Sequence, residues 1–228
     1  KSIKEKISDR TAAILVEPVQ GEGGARKAPK GYLKNISNLA KECKCLLISD
    51  EVQIGMGRSG TLFAYEQEDI QPDIIALAKG LGGGFPVGAV LAKSHIGEAM
   101  TPGTHGSTFG GNPLAMRCAN VVLEMLIEKN FLNQLQEKIK YLDDKINKLV
   151  SENKETYVKP KGSGMLRGVE LSSKFSAVNF STLAREKGLL LVGAAENTIR
   201  ILPPLNTSHE EIDFAIKVFE DLIGQIEN

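Results

Sequence analysis

The chain has 228 residues, with 28 basic and 28 acidic side chains and a formal net charge of zero. Such balance offers no basic face to nucleic acid. No apolar run reaches the roughly 20 residues of a membrane span, and the N-terminus has no signal-peptide core. Cys43, Cys45 and Cys118 form no metal-binding pattern and read as reduced thiols of a cytoplasmic protein.

Taken in chain order, Ala12–Glu17 ("AAILVE") is a continuous apolar run that suits a strand covered on both faces, and Pro18 ends it. After a glycine-rich loop, Leu33, Ile36, Leu39 and Ala40 recur at helical spacing within Gly31–Cys43. Strands are predicted at Cys45–Ser49, Asp73–Ala78 and Val87–Ala92. Short strands alternating with helix imply a largely parallel α/β sheet. Asn112 before Pro113 marks the start of a long helix, broken near Asn130 and continuing to about Val150. Beyond it, Gly164–Leu171 and Thr198–Leu202 read as strands and Val178–Lys187 as a helix. Ser208 and Glu211 form a capping box for a last helix reaching Ile223. This second part reads as a smaller α+β domain.

Three polar segments end three of the apolar strands. They are "EPVQGEGG" (Glu17–Gly24), "DEVQ" (Asp50–Gln53) and "KG" (Lys79–Gly80). In a parallel sheet the carboxyl ends share one edge, so Gln20, Asp50 and Lys79 are expected to converge there. Singly, a strand-end acid is most often a turn former and a strand-end lysine a solvated charge; three at one edge point to a ligand. A lysine in a partly apolar setting, here beside "LGGGFPVG", can lose its proton and attack a carbonyl. An acid ending a buried strand can hold the protonated ring nitrogen of a pyridine cofactor. A hydrogen bond between such charged groups is worth roughly 1.5–3 kcal/mol, enough to keep that nitrogen protonated near neutral pH. The glycines after Lys79 would let the backbone pass close to the ring. The combination points to pyridoxal phosphate.

The stretches "EPVQGEGG", "SDEVQIGMGRSGTLFAYE", "PDIIALAKGLGGGFPVGAV", "HGSTFGGNPLA" and "IRILPPL" occur in that order. Together they resemble the class III (ω-amino acid) aminotransferases over essentially the whole chain, nearest the branch acting on N-acetylornithine. The 29-residue spacing from Asp50 to Lys79 agrees with that family. The resemblance implies a fold-type-I pyridoxal-phosphate transferase. Residues 1–127 would be the C-terminal part of the cofactor-binding large domain, and 128–228 the small domain. It implies Lys79 as the Schiff-base lysine and proton shuttle, Asp50 on the ring nitrogen, Val52 on the ring face and Gln53 on the phenolic oxygen. Ser107 and Thr108 would reach the cofactor phosphate of a neighbouring subunit, which implies a homodimer with shared sites. Arg200 would bind a substrate carboxylate through its planar fork. Glu22 would pair with Arg200 when an ω-amino substrate binds, and release it for 2-oxoglutarate. Glu17 and Arg58 are expected to be structural. Strand alternation turns Glu51 away from Asp50 and Val52, giving it a supporting role.

The implied reaction moves the δ-amino group of N-acetylornithine to 2-oxoglutarate, as in arginine biosynthesis. Succinyl-diaminopimelate, ornithine and 4-aminobutyrate are the alternative donors. Family members carry an N-terminal part for which Lys1–Arg10 supplies no equivalent. The expectation is therefore a portion of a longer protein, or a catalytically silent remnant acting as a binding partner. A dinucleotide-binding domain ranks low, because no G-x-G-x-x-G opens a helix after the first strand.

Overall fold

The computed structural model describes residues 3–128 and 130–226, so the terminal residues of both expected domains lie outside the described ones. The described residues form strands β1 (Ala13–Val16), β2 (Val19–Gln20), β3 (Arg26–Lys27), β4 (Leu46–Asp50), β5 (Ile74–Leu77), β6 (Ala89–Ala92), β7 (Tyr157–Ser163), β8 (Leu166–Leu171), β9 (Val192–Ala194) and β10 (Thr198–Ile201). The helices are α1 (Tyr32–Glu42), α2 (Ser94–Gly97), α3 (Pro113–Ile127), α4 (Phe131–Glu152), α5 (Ala177–Glu186) and α6 (His209–Ile226). Contacts divide the chain into two compact units. The first comprises residues 1–18, 28–57 and 61–128; the second comprises 19–27, 58–60 and 129–228.

The first unit is built on a sheet ordered β1-β4-β5-β6. Strands β1, β4 and β5 are parallel, as the alternation of strand and helix predicts. The predicted strand at Val87–Ala92 forms over Ala89–Ala92 as β6 and runs antiparallel to β5. Residues 78–88, a glycine-rich stretch with one short 3-10 turn, link β5 to β6 and fall just short of the roughly dozen or more residues that a parallel crossover requires. Helix α1 covers one face, placing Leu33, Ile36 and Ala40 in a cluster with Ile14, Cys45 and Leu47. Its N-terminus has no side-chain cap of its own; the amide of Gly31 donates instead to both carboxylate oxygens of Glu68, at 3.1 and 3.0 Å. Helix α3 starts as predicted, with the Asn112 side chain accepting the Ala115 amide at 2.9 Å and Pro113 in the first turn. Among the described residues no helix is long and apolar enough to cross a membrane.

The second unit carries an antiparallel sheet ordered β7-β8-β10-β9. One face packs on α4, α5 and α6 through a core that includes Leu142, Ile146, Tyr157, Val169, Phe180, Ile199, Phe219 and Leu222. The expected break near Asn130 is present: α3 ends at Ile127, and Asn130 precedes α4 with a left-handed φ of 95°. The capping box forms, with the Glu211 amide donating to Ser208 Oγ at 3.2 Å and the Ser208 amide to Glu211 Oε2 at 2.8 Å. Strand β7 was not predicted, because Pro160 and Gly162 interrupt its pattern; both are tolerated on an edge strand.

Tyr157 is fully buried, and its hydroxyl donates to the Phe219 carbonyl at 2.7 Å, tying β7 to α6. Replacing Tyr157 by Phe is expected to lower unfolding free energy by about 1–2 kcal/mol, measured in urea, by leaving a buried carbonyl short of a partner.

Candidate active site

Asp50 is the last residue of β4 and lies in register with Ala76 of its parallel neighbour β5. Lys79 follows β5 after Ala78, so the two residues stand at the carboxyl ends of adjacent parallel strands, as predicted. Lys79 adopts a left-handed φ of 44°, rare for a residue with a side chain and common at functional positions. It is exposed and begins a short 3-10 turn, Lys79–Gly82. Gln20 belongs to β2, in the second unit.

Asp50 and Glu51 divide the labour of the two adjacent acids. Asp50 is half-buried, and its Oδ1 accepts the Val52 amide at 3.0 Å, which fixes the carboxylate at the strand end. Glu51 is 1% exposed. It accepts the Ala64 amide at 2.9 Å, the Tyr65 amide at 3.0 Å and the Ser49 hydroxyl at 3.2 Å. Burial pushes its carboxyl above the usual carboxylate range, against the pull of these donors. Glu51 is thus committed to the fold, in the supporting role the alternation implies.

Val52 and Gln53 continue from Asp50 into a chain of turns and are half-buried. The glycines after Lys79 have intramolecular reasons beyond any approach to a ligand. A methyl group on Gly82 would lie 2.8 Å from Val87 Cγ1, and one on Gly83 2.9 Å from Val122 Cγ2 of α3. Gly83 and Gly84 also take positive φ values of 57° and 109°. Ser107 and Thr108 lie in an exposed turn just before the Asn112 cap. The Ser107 carbonyl accepts the Gly110 amide at 3.2 Å.

The second unit holds the other expected pair. Arg200, in β10, pairs with Gly168 of β8 on one side and Val192 of β9 on the other. Its Nη1 lies 2.6 Å from Glu22 Oε1, and the side chains are 6% and 71% exposed respectively. A fixed, buried guanidinium thus faces a carboxylate that solvent reaches freely. Arg58 is structural, as expected: its Nη1 donates to the carbonyls of Met165 at 3.0 Å and Pro203 at 2.9 Å. Burial lowers its pKa. Glu17 sits half-buried between β1 and Pro18. Among the described residues no cluster of three or more His, Cys, Asp or Glu side chains could hold a metal ion.

Residues 1–223 match the family model described as aminotransferase class-III. The chain belongs to the class-III aminotransferase family. Members of this family are pyridoxal-phosphate-dependent transaminases of fold type I. The chain is 48% identical over 222 residues to the acetylornithine aminotransferase of Clostridium acetobutylicum, covering 97% of this chain and 57% of the relative. It is 41% identical to the succinylornithine transaminase of Photorhabdus laumondii, covering 97% and 56%. Among solved structures, the ornithine aminotransferase of Plasmodium yoelii superposes with a TM-score of 0.90 at 31% identity, covering 98% of this chain and 60% of that one. The chain therefore spans a little over half the length of the curated relatives it matches.

The residues present fit the family's cofactor. An acid held at a strand end and a lysine one strand over in a left-handed turn are donor types it needs. Sequence reading missed Lys161 and Glu196, which pair with each other beside the Glu22 turn, because they lie on β7 and on the turn before β10.

Glu51→Gln would set an amide NH2 against a backbone N–H. We expect a loss of about 1–3 kcal/mol in urea unfolding free energy, because a buried donor would be left unpaired.

Proposed function

We propose that this chain is the lysine- and arginine-bearing portion of an aminotransferase that moves the δ-amino group of N-acetylornithine to 2-oxoglutarate. The observation that carries the reading is the 2.6 Å pair between buried Arg200 and exposed Glu22. A δ-amino donor has no carboxylate on its reacting carbon whereas 2-oxoglutarate has one, so a site that takes both in turn needs an arginine that can be neutralised and then released. The relatives' names support the substrate class: acetylornithine, succinylornithine and ornithine share one skeleton with a δ-nitrogen.

Pyridoxal phosphate, when bound, supplies an electron sink conjugated to the amino-bearing carbon. In our reading Asp50 would hold the ring nitrogen protonated, with Val52 against the ring and Gln53 toward its phenolic oxygen. Lys79 would hold the cofactor through its Nζ, and the same amine would serve as the base that takes up and returns the proton. Arg200 takes the acceptor's carboxylate by a bidentate contact once Glu22 swings out, and Glu22 neutralises it while the amino donor is bound. Ser107 and Thr108 serve the phosphate of a neighbouring subunit in a cytoplasmic homodimer. Exposed Val90, Leu91, Met100, Phe109 and Leu114, in the same unit as those hydroxyls, support a face covered by a second copy. Residues 1–127 and 128–228 would be the large-domain portion and the small domain.

Two outcomes test this reading. Borohydride reduction after incubation with pyridoxal phosphate is expected to label Lys79 stoichiometrically by peptide mass, and Lys79→Ala to remove that label. Adducts scattered over surface lysines would contradict the assignment. In the full-length gene product, glutamate should form fastest from N-acetylornithine and 2-oxoglutarate. Faster turnover of ornithine, succinyl-diaminopimelate or 4-aminobutyrate would move the substrate assignment.

A further inference from the structure

The Glu22 turn rests on a row of three residues across the second sheet. Lys161 of β7, Gly168 of β8 and Arg200 of β10 are successive cross-strand partners, so their side chains share one face. Gly168, in the middle, has no side chain, and the turn between β2 and β3 fills the space. A methyl group on Gly168 would lie 3.0 Å from Ala25 Cβ and 2.9 Å from Thr198 Cγ2. Ala25 itself is wholly buried. The turn thus sits between two cations: Glu22 reaches Arg200 on one side, and Gly24 meets Lys161 on the other. A methyl on Gly24 would come within 3.1 Å of Lys161 Nζ and 2.6 Å of the Ala195 carbonyl oxygen.

Lys161 is 7% exposed, unlike an ordinary surface lysine. Its Nζ contacts Glu196 Oε2 at 2.5 Å, Thr198 Oγ1 at 3.2 Å and Glu170 Oε2 at 3.4 Å. Its ammonium holds the Glu196 carboxyl below the usual carboxylate range. Glu196 also reaches back to Arg26, at 3.4 Å, on the strand that leaves the Glu22 turn. Its neighbour Ala195 donates its amide to the Glu22 carbonyl at 3.2 Å. Glu196 and Asn197 both take left-handed φ values, 57° and 47°, so the tight turn before β10 is conformationally demanding and needs its anchor.

We infer that Lys161 is a positioning residue: by fixing the Glu196 turn and flanking Gly24, it seats the Glu22 turn and sets how firmly Glu22 holds Arg200. This rests on the reading of Arg200 as the carboxylate-binding arginine. Loosening the seat releases Arg200 to other carboxylates without touching either member of the pair. It therefore biases the site toward the dicarboxylate and away from the amino donor.

The test uses the full-length protein and reads Arg200 directly, by its rate of phenylglyoxal modification in peptide mass spectra, with 2-oxoglutarate as protecting ligand. Glu22→Gln is the reference that uncovers the arginine. Lys161→Met is expected to raise Arg200 modification about three- to tenfold, corresponding to about one decade or less in the pairing equilibrium. Lys161→Arg should restore it to within twofold of wild type. The double variant should equal Glu22→Gln alone, because both act on one contact. Glu196→Gln, at an exposed position, should shift the rate in the same direction and keeps the test open should Lys161→Met fail to fold. In steady state the KM for 2-oxoglutarate should fall relative to that for the donor, with kcat little changed. Wild-type Arg200 reactivity in Lys161→Met or in Glu196→Gln, or a Lys161→Met effect that adds fully to Glu22→Gln, overturns the inference. If Glu22→Gln itself leaves Arg200 unreactive and 2-oxoglutarate gives no protection, the carboxylate-site reading fails as well.

Discussion

Everything at the end of β4 depends on how the carboxylate of Glu51 is satisfied. A buried acid without donors costs several kcal/mol, and here two backbone amides and a serine hydroxyl supply them. The backbone of Glu51 is fixed as well, its amide donating to the Ala76 carbonyl and its carbonyl accepting the Gly55 amide. These bonds tie the end of β4 to β5 and to the segment at Ala64–Tyr65. Asp50, one residue earlier and on the opposite face, accepts the Val52 amide with its side chain. Glu51 therefore holds the strand end through its side chain and its backbone together.

The second unit repeats that separation of duties with cations. Arg58 and Arg167 serve packing, one on the carbonyls of Met165 and Pro203, the other on Asp143 at 3.1 Å and the Gly162 carbonyl. Arg200 is as deeply buried as Arg167, yet its ion-pair partner is largely exposed. The arginine is therefore fixed and the carboxylate is the part able to move. That asymmetry is what the proposed gating of Arg200 by Glu22 uses. Gly168 provides the room for it, because any larger residue at the centre of the row would lift the turn that carries Glu22.

The first unit was legible because its strands are nearly all apolar and end abruptly on charge, so Asp50 and Lys79 announce themselves. The α3 cap and the Ser208–Glu211 box were equally plain, each being a local pairing of side chain and backbone within four residues. What the sequence hid is non-local. Strand β7 reads as a loop because Pro160 and Gly162 break its alternation. Lys161 consequently reads as a surface charge, and only the pairing of Lys161 with Gly168 and of Gly168 with Arg200 puts the lysine beside the Glu22 turn. The antiparallel β6 and the assignment of Gln20 to the second unit were hidden for the same reason: strand direction and unit membership follow from pairing, not from local pattern.

The central claim is that β4 ends on Asp50 in order to keep a pyridine nitrogen protonated. The most direct measurement is the nitrogen-15 chemical shift of ring-labelled pyridoxal phosphate bound to the full-length protein, compared with its Asp50→Asn variant near neutral pH. A protonated ring in the wild type and an unprotonated one in the variant is the predicted result. The same shift in both proteins would contradict the account and leave Asp50 as a turn-forming residue only.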